Sequence, residues 1–200
     1  MIERCDLEDW LPLDKARELV DAFSGDPSTY PDYEFFSHNR GVYKDISEEY
    51  IPLLLLSESL PHVQALRLST DSFPGHDGVL LLDDESTISV QVTVSQEHDD
   101  GYKARHSLRD IGEYIPDGGA GDTQGVIAQR TQRILDAIQD KESKFRAGTN
   151  VLLVVDESIS WGDVIDPGLP DALDVALHMM PGSKYASTYV IFGTDVRKVR

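Results

Sequence analysis

Residues Val151 to Val155 read Val-Leu-Leu-Val-Val, five apolar side chains in succession. Successive residues of a strand point to opposite faces, so an unbroken apolar run is at home only where both faces are covered. That is the position of a central strand in a parallel or mixed sheet. A second segment obeys a different rule. From Thr87 to Ser95, Ile88, Val90, Val92 and Val94 point one way, and Thr87, Ser89, Gln91, Thr93 and Ser95 point the other, the alternation of a strand with unlike faces.

The elements around these two strands follow from period and punctuation. Leu13 to Phe23 sets Ala16, Leu19, Val20 and Phe23 at helical spacing and ends before Ser24-Gly25, which predicts a first helix. Gly25 to Tyr43 has no sustained period and reads as an ordered loop whose Tyr30, Tyr33, Phe35 and Phe36 cover part of the core. Asp45 or Ser47 is suited to cap a second helix, with Pro52 tolerated in its first turn and a break at Pro61. Val63 to Ser69 and Val79 to Leu82 read as strands, and Asp83 to Ser86 as the polar turn of a hairpin into the Thr87 strand. After a polar, Gly-rich stretch containing a short helix over Tyr102 to Gly112, Gln124 to Arg146 carries Ile127, Ile134, Ile138 and Phe145 on one face, with Gly148 as its stop. Pro170 opens a last helix to Met180, and Thr188 to Phe192 supplies a final strand.

Two hundred residues, 40% of them hydrophobic, suffice for one core and match the roughly 100–200 residues of one domain. A lone Cys5 forms no internal disulfide and points to a reducing, cytoplasmic setting. The acidic start Met-Ile-Glu-Arg-Cys-Asp-Leu-Glu-Asp lacks the apolar stretch of an export signal. The longest apolar run, Tyr50 to Leu56, includes Pro52 and is far short of the ~20 residues of a membrane helix. Thirty-six acidic residues against eighteen basic ones give a net charge of -18, a field that opposes the approach of nucleic acid or anionic lipid and favours a protein partner with a basic surface.

The predicted order is helix, three antiparallel strands, long helix, strand. Within it, His76-Asp77-Gly78-Val79-Leu80 resembles the Pro-Asp-Gly-Val-Leu segment of the PD-(D/E)XK nuclease-like superfamily. Ile88-Ser-Val-Gln91-Val-Thr93 stands where that family has its Ile-Glu-Val-Lys-like strand. The stretch from Ile138 to Phe145, with the Val-Leu-Leu-Val-Val run after it, is similar to the family's helix and fourth strand, so that the resemblance covers roughly Asp45 to Asp156. It implies an α/β fold with an αβββαβ core, restriction-endonuclease-like, in which a central mixed sheet is flanked by helices. In active members an aspartate and a glutamate hold Mg²⁺ or Mn²⁺, and a lysine two residues beyond the glutamate positions the attacking water. Divalent-metal catalysis draws on that negative charge.

Carried over residue by residue, the resemblance implies Asp77 as the aspartate, Gln91 in the glutamate position and Thr93 in the lysine position. Gln91 keeps a carbonyl oxygen without the charge, and Thr93 supplies no cation. Glu48 or Glu49 on the preceding helix is a candidate extra ligand, giving Asp77, Gln91 and Glu49 as the metal set. Lys141, within the apolar stripe of the long helix, is a candidate displaced lysine, and Lys103 another. Arg130, Arg133, Lys141 and Lys144 form one basic strip, and Lys103, Arg105, His106 and Arg109 a second cluster.

Each of these residues has a plainer role. Asp77 before Gly78 suits a turn, Gln91 and Thr93 suit a solvated sheet face, and Lys141 suits a lysine that snorkels to water. The basic strip suits helix-surface pairs with Asp136, Asp140 and Glu142. His98-Asp99-Asp100 lacks a second histidine at a zinc spacing, and Cys5 lacks an activating partner. The expectation is a degenerate PD-(D/E)XK-like domain acting as an acidic protein-binding or regulatory module, in phage defence or its inhibition. The alternatives are a Mg²⁺- or Mn²⁺-dependent nuclease acting on DNA or RNA, and an immunity or scaffold protein with no catalytic site.

Overall fold

A computed structural model describes residues 3–25, 42, 45–70, 75–95, 123–156 and 168–200. In chain order the elements are α1 (Arg4–Glu8), β1 (Leu11–Pro12), α2 (Leu13–Gly25), a π-helical turn (Asp45–Tyr50) continuous with α3 (Ile51–Ser59), β2 (Val63–Leu68), β3 (Gly78–Leu82), β4 (Thr87–Ser95), α4 (Thr123–Ser143), β5 (Val151–Asp156), α5 (Gly168–His178), β6 (Ser187–Phe192) and β7 (Asp195–Lys198). The seven strands form one mixed sheet in sequence order. β1 to β4 pair antiparallel, β4 to β6 parallel, and β7 returns antiparallel on β6. Parallel neighbours require crossovers; α4 lies between β4 and β5 in the chain, and α5 between β5 and β6.

The Val-Leu-Leu-Val-Val run is an interior strand, flanked by β4 and β6, with Val151 to Val154 all buried. Its alternate side chains go to different cores. Val151 and Leu153 join Leu66, Leu68, Leu80, Val90, Val92 and Ile191 beneath Tyr50, Leu53 and Leu56. Leu152 and Val154 join Val190 and Phe192 beneath Ile134, Ile138, Leu169, Leu173 and Leu177. The single core expected from length is therefore two clusters on opposite sheet faces, because an interior strand apolar on both sides requires cover on both.

Three local features depart from the simple periods. The apolar neighbours Ala65 and Leu66 reflect a register shift between Val63 and Ala65, a bulge that absorbs one residue. Asp45 takes the guanidinium of Arg4 at 2.6 Å at the head of a π-helical turn; α3 has its proline in the first turn, as expected. The long helix ends at Ser143, short of Phe145, and Gly148 follows at φ 102°, a backbone region open to glycine. No helix among the described residues is long and apolar enough to cross a membrane. The expected loop from Gly25 to Tyr43 lies almost entirely outside the described residues, and the short helix from Tyr102 to Gly112 wholly outside them.

Candidate functional site

Register brings the motif residues together. Gly78 pairs with Val90 on β4 and with Leu68 on β2, so one further step sets Asp77 between Ser69 and Gln91. The step is hydrogen-bonded: the Ser69 amide donates to Asp77 O at 2.9 Å, and the Asp77 amide donates to Val90 O at 2.8 Å. Gln91 pairs onward with Leu152, and Leu152 with Thr188. Opposed residues share a face, which places Ser69, Asp77, Gln91, Leu152 and Thr188 in one row across the sheet, on the side that α4 covers over β4 and β5.

The glycine of the Asp-Gly pair is a packing residue. A Cβ at Gly78 would stand 2.1 Å from Leu53 Cδ1 and 3.1 Å from Arg67 O. α3 thus approaches β3 closely enough to exclude a side chain, and this close contact pins the backbone beside Asp77.

Asp77 is half-buried, and its Oδ2 accepts the Val92 amide at 2.7 Å. The carboxylate continues the antiparallel pairing with a side chain where the β3 ladder has ended. Gln91 is also engaged: its Oε1 accepts the Tyr185 hydroxyl at 2.6 Å, and the same hydroxyl lies 3.3 Å from Lys141 O. Tyr185 is 4% exposed. Burial, then the charges of Glu142 and Asp77, push its phenol up to about 12, so it stays a proton donor throughout the neutral range. The loop carrying it is tied to the end of α4, where Glu142 accepts Ser183 Oγ at 2.5 Å and the Lys184 amide at 3.0 Å. The Phe145 and Tyr185 rings meet edge to face, with centroids 5.0 Å apart.

The remaining candidates sit around this row. Thr93 is half-buried opposite Val154, on Gln91's face. That face is covered by α4 and is not the solvated one expected of an antiparallel strand, because β4 takes a parallel partner and becomes interior. Lys141 is half-buried in the last turn of α4, and no hydrogen bond or ion pair of its ammonium is found among the described residues. Glu49 belongs to the π-helical turn; against the lowering effect of burial, the Arg4 guanidinium's affinity for its proton is raised by Asp45, then Glu8, and least by Glu49. The basic strip is divided: Lys144 pairs with Asp140 at 2.7 Å, but Arg130 turns to the buried Asp156 at the end of β5. Asp136 accepts Gln132, and Glu142 serves the Tyr185 loop. Lys103, Arg105, His106, Arg109 and His98-Asp99-Asp100 lie outside the described residues. Cys5 is exposed, and desolvation with the charges of Asp6 and Glu3 pushes its thiol up, away from the reactive thiolate.

Mg²⁺ wants near-octahedral oxygen ligands with carboxylate charge. Here one carboxylate oxygen holds a backbone amide, the neutral amide oxygen holds a phenol, and no three His, Cys, Asp or Glu side chains among the described residues group as a metal ion's ligands. This donor set does not match Mg²⁺ or Mn²⁺. The residue that sequence reading missed is Tyr185; nothing in Pro-Gly-Ser-Lys-Tyr-Ala-Ser (181–187) marks it, since its partner is remote in the chain. Compared with family models, curated proteins and solved structures, the chain matches none.

Proposed function

We propose that the chain is a PD-(D/E)XK-like domain without catalytic activity that binds a protein partner through its acidic surface. The observation that carries this reading is the internal use of both candidate ligands, Asp77 by the Val92 amide and Gln91 by the Tyr185 hydroxyl. The Tyr185 hydroxyl takes the Gln91 carbonyl and the Val92 amide takes one Asp77 oxygen, and the neutral amide at position 91 withholds the second negative charge that a divalent cation draws on. The superfamily part of the reading is supported by the succession α3, β2, β3, β4, α4, β5, with the meander antiparallel and the last pair parallel. The partner part is supported by the net charge of -18, which speeds association with a basic protein surface and repels polyanions.

The test has two arms. The purified chain, incubated with single- and double-stranded DNA and RNA in Mg²⁺ or Mn²⁺, is expected to leave them intact. Crosslinking in the native host is expected to recover a protein whose association weakens as salt rises. Metal-dependent cleavage abolished by Asp77→Ala would overturn the reading in favour of a nuclease, and recovery of nucleic acid alone would refute the protein partner.

A further inference from the structure

In so acidic a chain a half-buried arginine is expected to find a carboxylate. Arg4 has Asp45 and Glu8, and Arg130 has Asp156. Arg67 on β2 has none among the described residues. Its Nε is sealed from solvent without a hydrogen-bond partner; among the described residues it stands over the Trp10 ring, whose centroid lies 4.8 Å from the guanidinium carbon, and near enough to His76 to disfavour that ring's protonation, after the larger effect of burial. The pairing of Leu11 with Leu66, extended one residue, puts Trp10 directly opposite Arg67. The aromatic ring therefore backs one face of the guanidinium, and Trp10 itself remains 38% exposed.

Two residues on from Arg67, just past the end of β2 where the Ser69 amide still pairs with Asp77 O, Ser69 stands on the same face. It is 8% exposed, and its Oγ is buried with no hydrogen-bond partner. A buried hydroxyl and a buried guanidinium N–H left unmade each cost free energy. Neighbouring donors without acceptors, beside a partly exposed aromatic wall, are the complement of an oxyanion.

We infer that Arg67, Trp10 and Ser69 form a binding site for a carboxylate-bearing ligand. The planar guanidinium matches a carboxylate with two parallel N–H bonds, Ser69 adds a third donor, and Trp10 offers an apolar surface to the ligand's body. A monoanion suits the site better than a phosphate dianion, because Asp77 stands opposite Ser69 and the whole chain carries -18, so repulsion grows with ligand charge. The site is separate from the acidic surface proposed above and stands or falls independently of it.

The experiment is an NMR titration of the full chain, following the Trp10 indole N–H and the Arg67 Nε–H at constant ionic strength. Two probes are used: sodium benzoate, and a blocked peptide with a free C-terminal carboxylate. Saturable shifts of both signals are expected, and the tighter probe tells whether the carboxylate belongs to a small acid or to a polypeptide end. Arg67→Gln is expected to weaken binding roughly ten- to hundredfold, the worth of charged hydrogen bonds. Arg67→Lys, which keeps the charge and loses the planar fork, is expected to weaken it by at least a few-fold while preserving the fold. Shifts that never saturate, that inorganic phosphate or chloride reproduces equally, or that survive in Arg67→Gln and Arg67→Lys would overturn the assignment.

Discussion

Removing one oxygen tests whether the Tyr185 hydroxyl is the proton donor that occupies Gln91. In Tyr185→Phe the Gln91 carbonyl loses its 2.6 Å partner in a site only 4% exposed at residue 185, which costs about 1–3 kcal/mol of stability at neutral pH. The phenol binds its proton more tightly folded than unfolded, about 12 against 10, so between those values the native state holds the extra proton. Stability from this group is then complete below pH 10 and declines as pH rises through 12. At about pH 11 the loss is about 1.4 kcal/mol, one unit of proton affinity. Urea unfolding of both proteins at about pH 8 and about pH 11 should therefore show the gap between wild type and Tyr185→Phe narrowing by that amount. Tyr50 is also buried, and burial raises its phenol too, but it titrates in both proteins and drops out of the difference. A gap that stays constant from about pH 8 to about pH 11 would refute the phenol's burial in its protonated form, and a Tyr185→Phe chain as stable as wild type at about pH 8 would refute its donation to Gln91.

Other substitutions separate packing from charge. Gly78→Ala drives a Cβ to within 2.1 Å of Leu53 Cδ1 and should cost about 1–3 kcal/mol or more from overpacking; in Gly78→Ala with Leu53→Ala the two costs should be sub-additive by denaturant melts, and strict additivity would show that the clash is relieved elsewhere. Asp77→Ala strips the Val92 amide of its acceptor and should lose about 1–3 kcal/mol, whereas Asp77→Asn, which keeps an acceptor oxygen, should stay near wild type; equal losses would mean that the negative charge itself is what matters. Arg130→Met takes the guanidinium away from an Asp156 side chain that is only 5% exposed and should cost about 3–5 kcal/mol, with Arg130→Met plus Asp156→Leu recovering most of it. Thermal melts of the single and double variants check this, and a double variant no better than the single would count against the pair.

How much of this was legible depended on how local the cause was. The Val-Leu-Leu-Val-Val strand, the β4 alternation and the helices around Ile134 and Leu173 follow from periods within one segment, and the structure has them. β1 is two residues, Leu11–Pro12, and is a strand only because it pairs with Leu66 and Ala65; a proline is acceptable there because the strand is an edge. β7 (Asp-Val-Arg-Lys) has one apolar residue and takes its form from a tight turn at Gly193, φ 63°, that folds it onto β6. The π-helical turn before α3 had a nearby cause that pattern reading passed over: Pro52 has no N–H to give the carbonyl four residues before it, and the ladder just upstream is the wider form.

The candidate site was legible as residue types and illegible as chemistry, because its deciding contact joins residues 94 apart in the chain. Asp77 and Gln91 are neighbours through hairpin register, which sequence does encode. Tyr185 reaches them because two parallel crossovers bring the start of β6 two strands away from β4, a consequence of topology. On the reading proposed above, in which the domain is PD-(D/E)XK-like, that contact makes the departures from the superfamily pattern explain one another. A glutamate at position 91 would face Asp77 across the hairpin with a phenol above it, and two carboxylates in a half-buried site repel unless a cation lies between them. A neutral amide removes the repulsion and gives the tyrosine an acceptor. Threonine at position 93 adds no further charge beneath α4, beside the Asp77 carboxylate held on the Val92 amide. Gln91, Thr93 and Tyr185 therefore form one self-consistent uncharged arrangement beside Asp77, so Gln91→Glu alone should destabilise the chain more than Gln91→Glu with Thr93→Lys, and urea unfolding in which the double variant is no more stable than the single one would refute this.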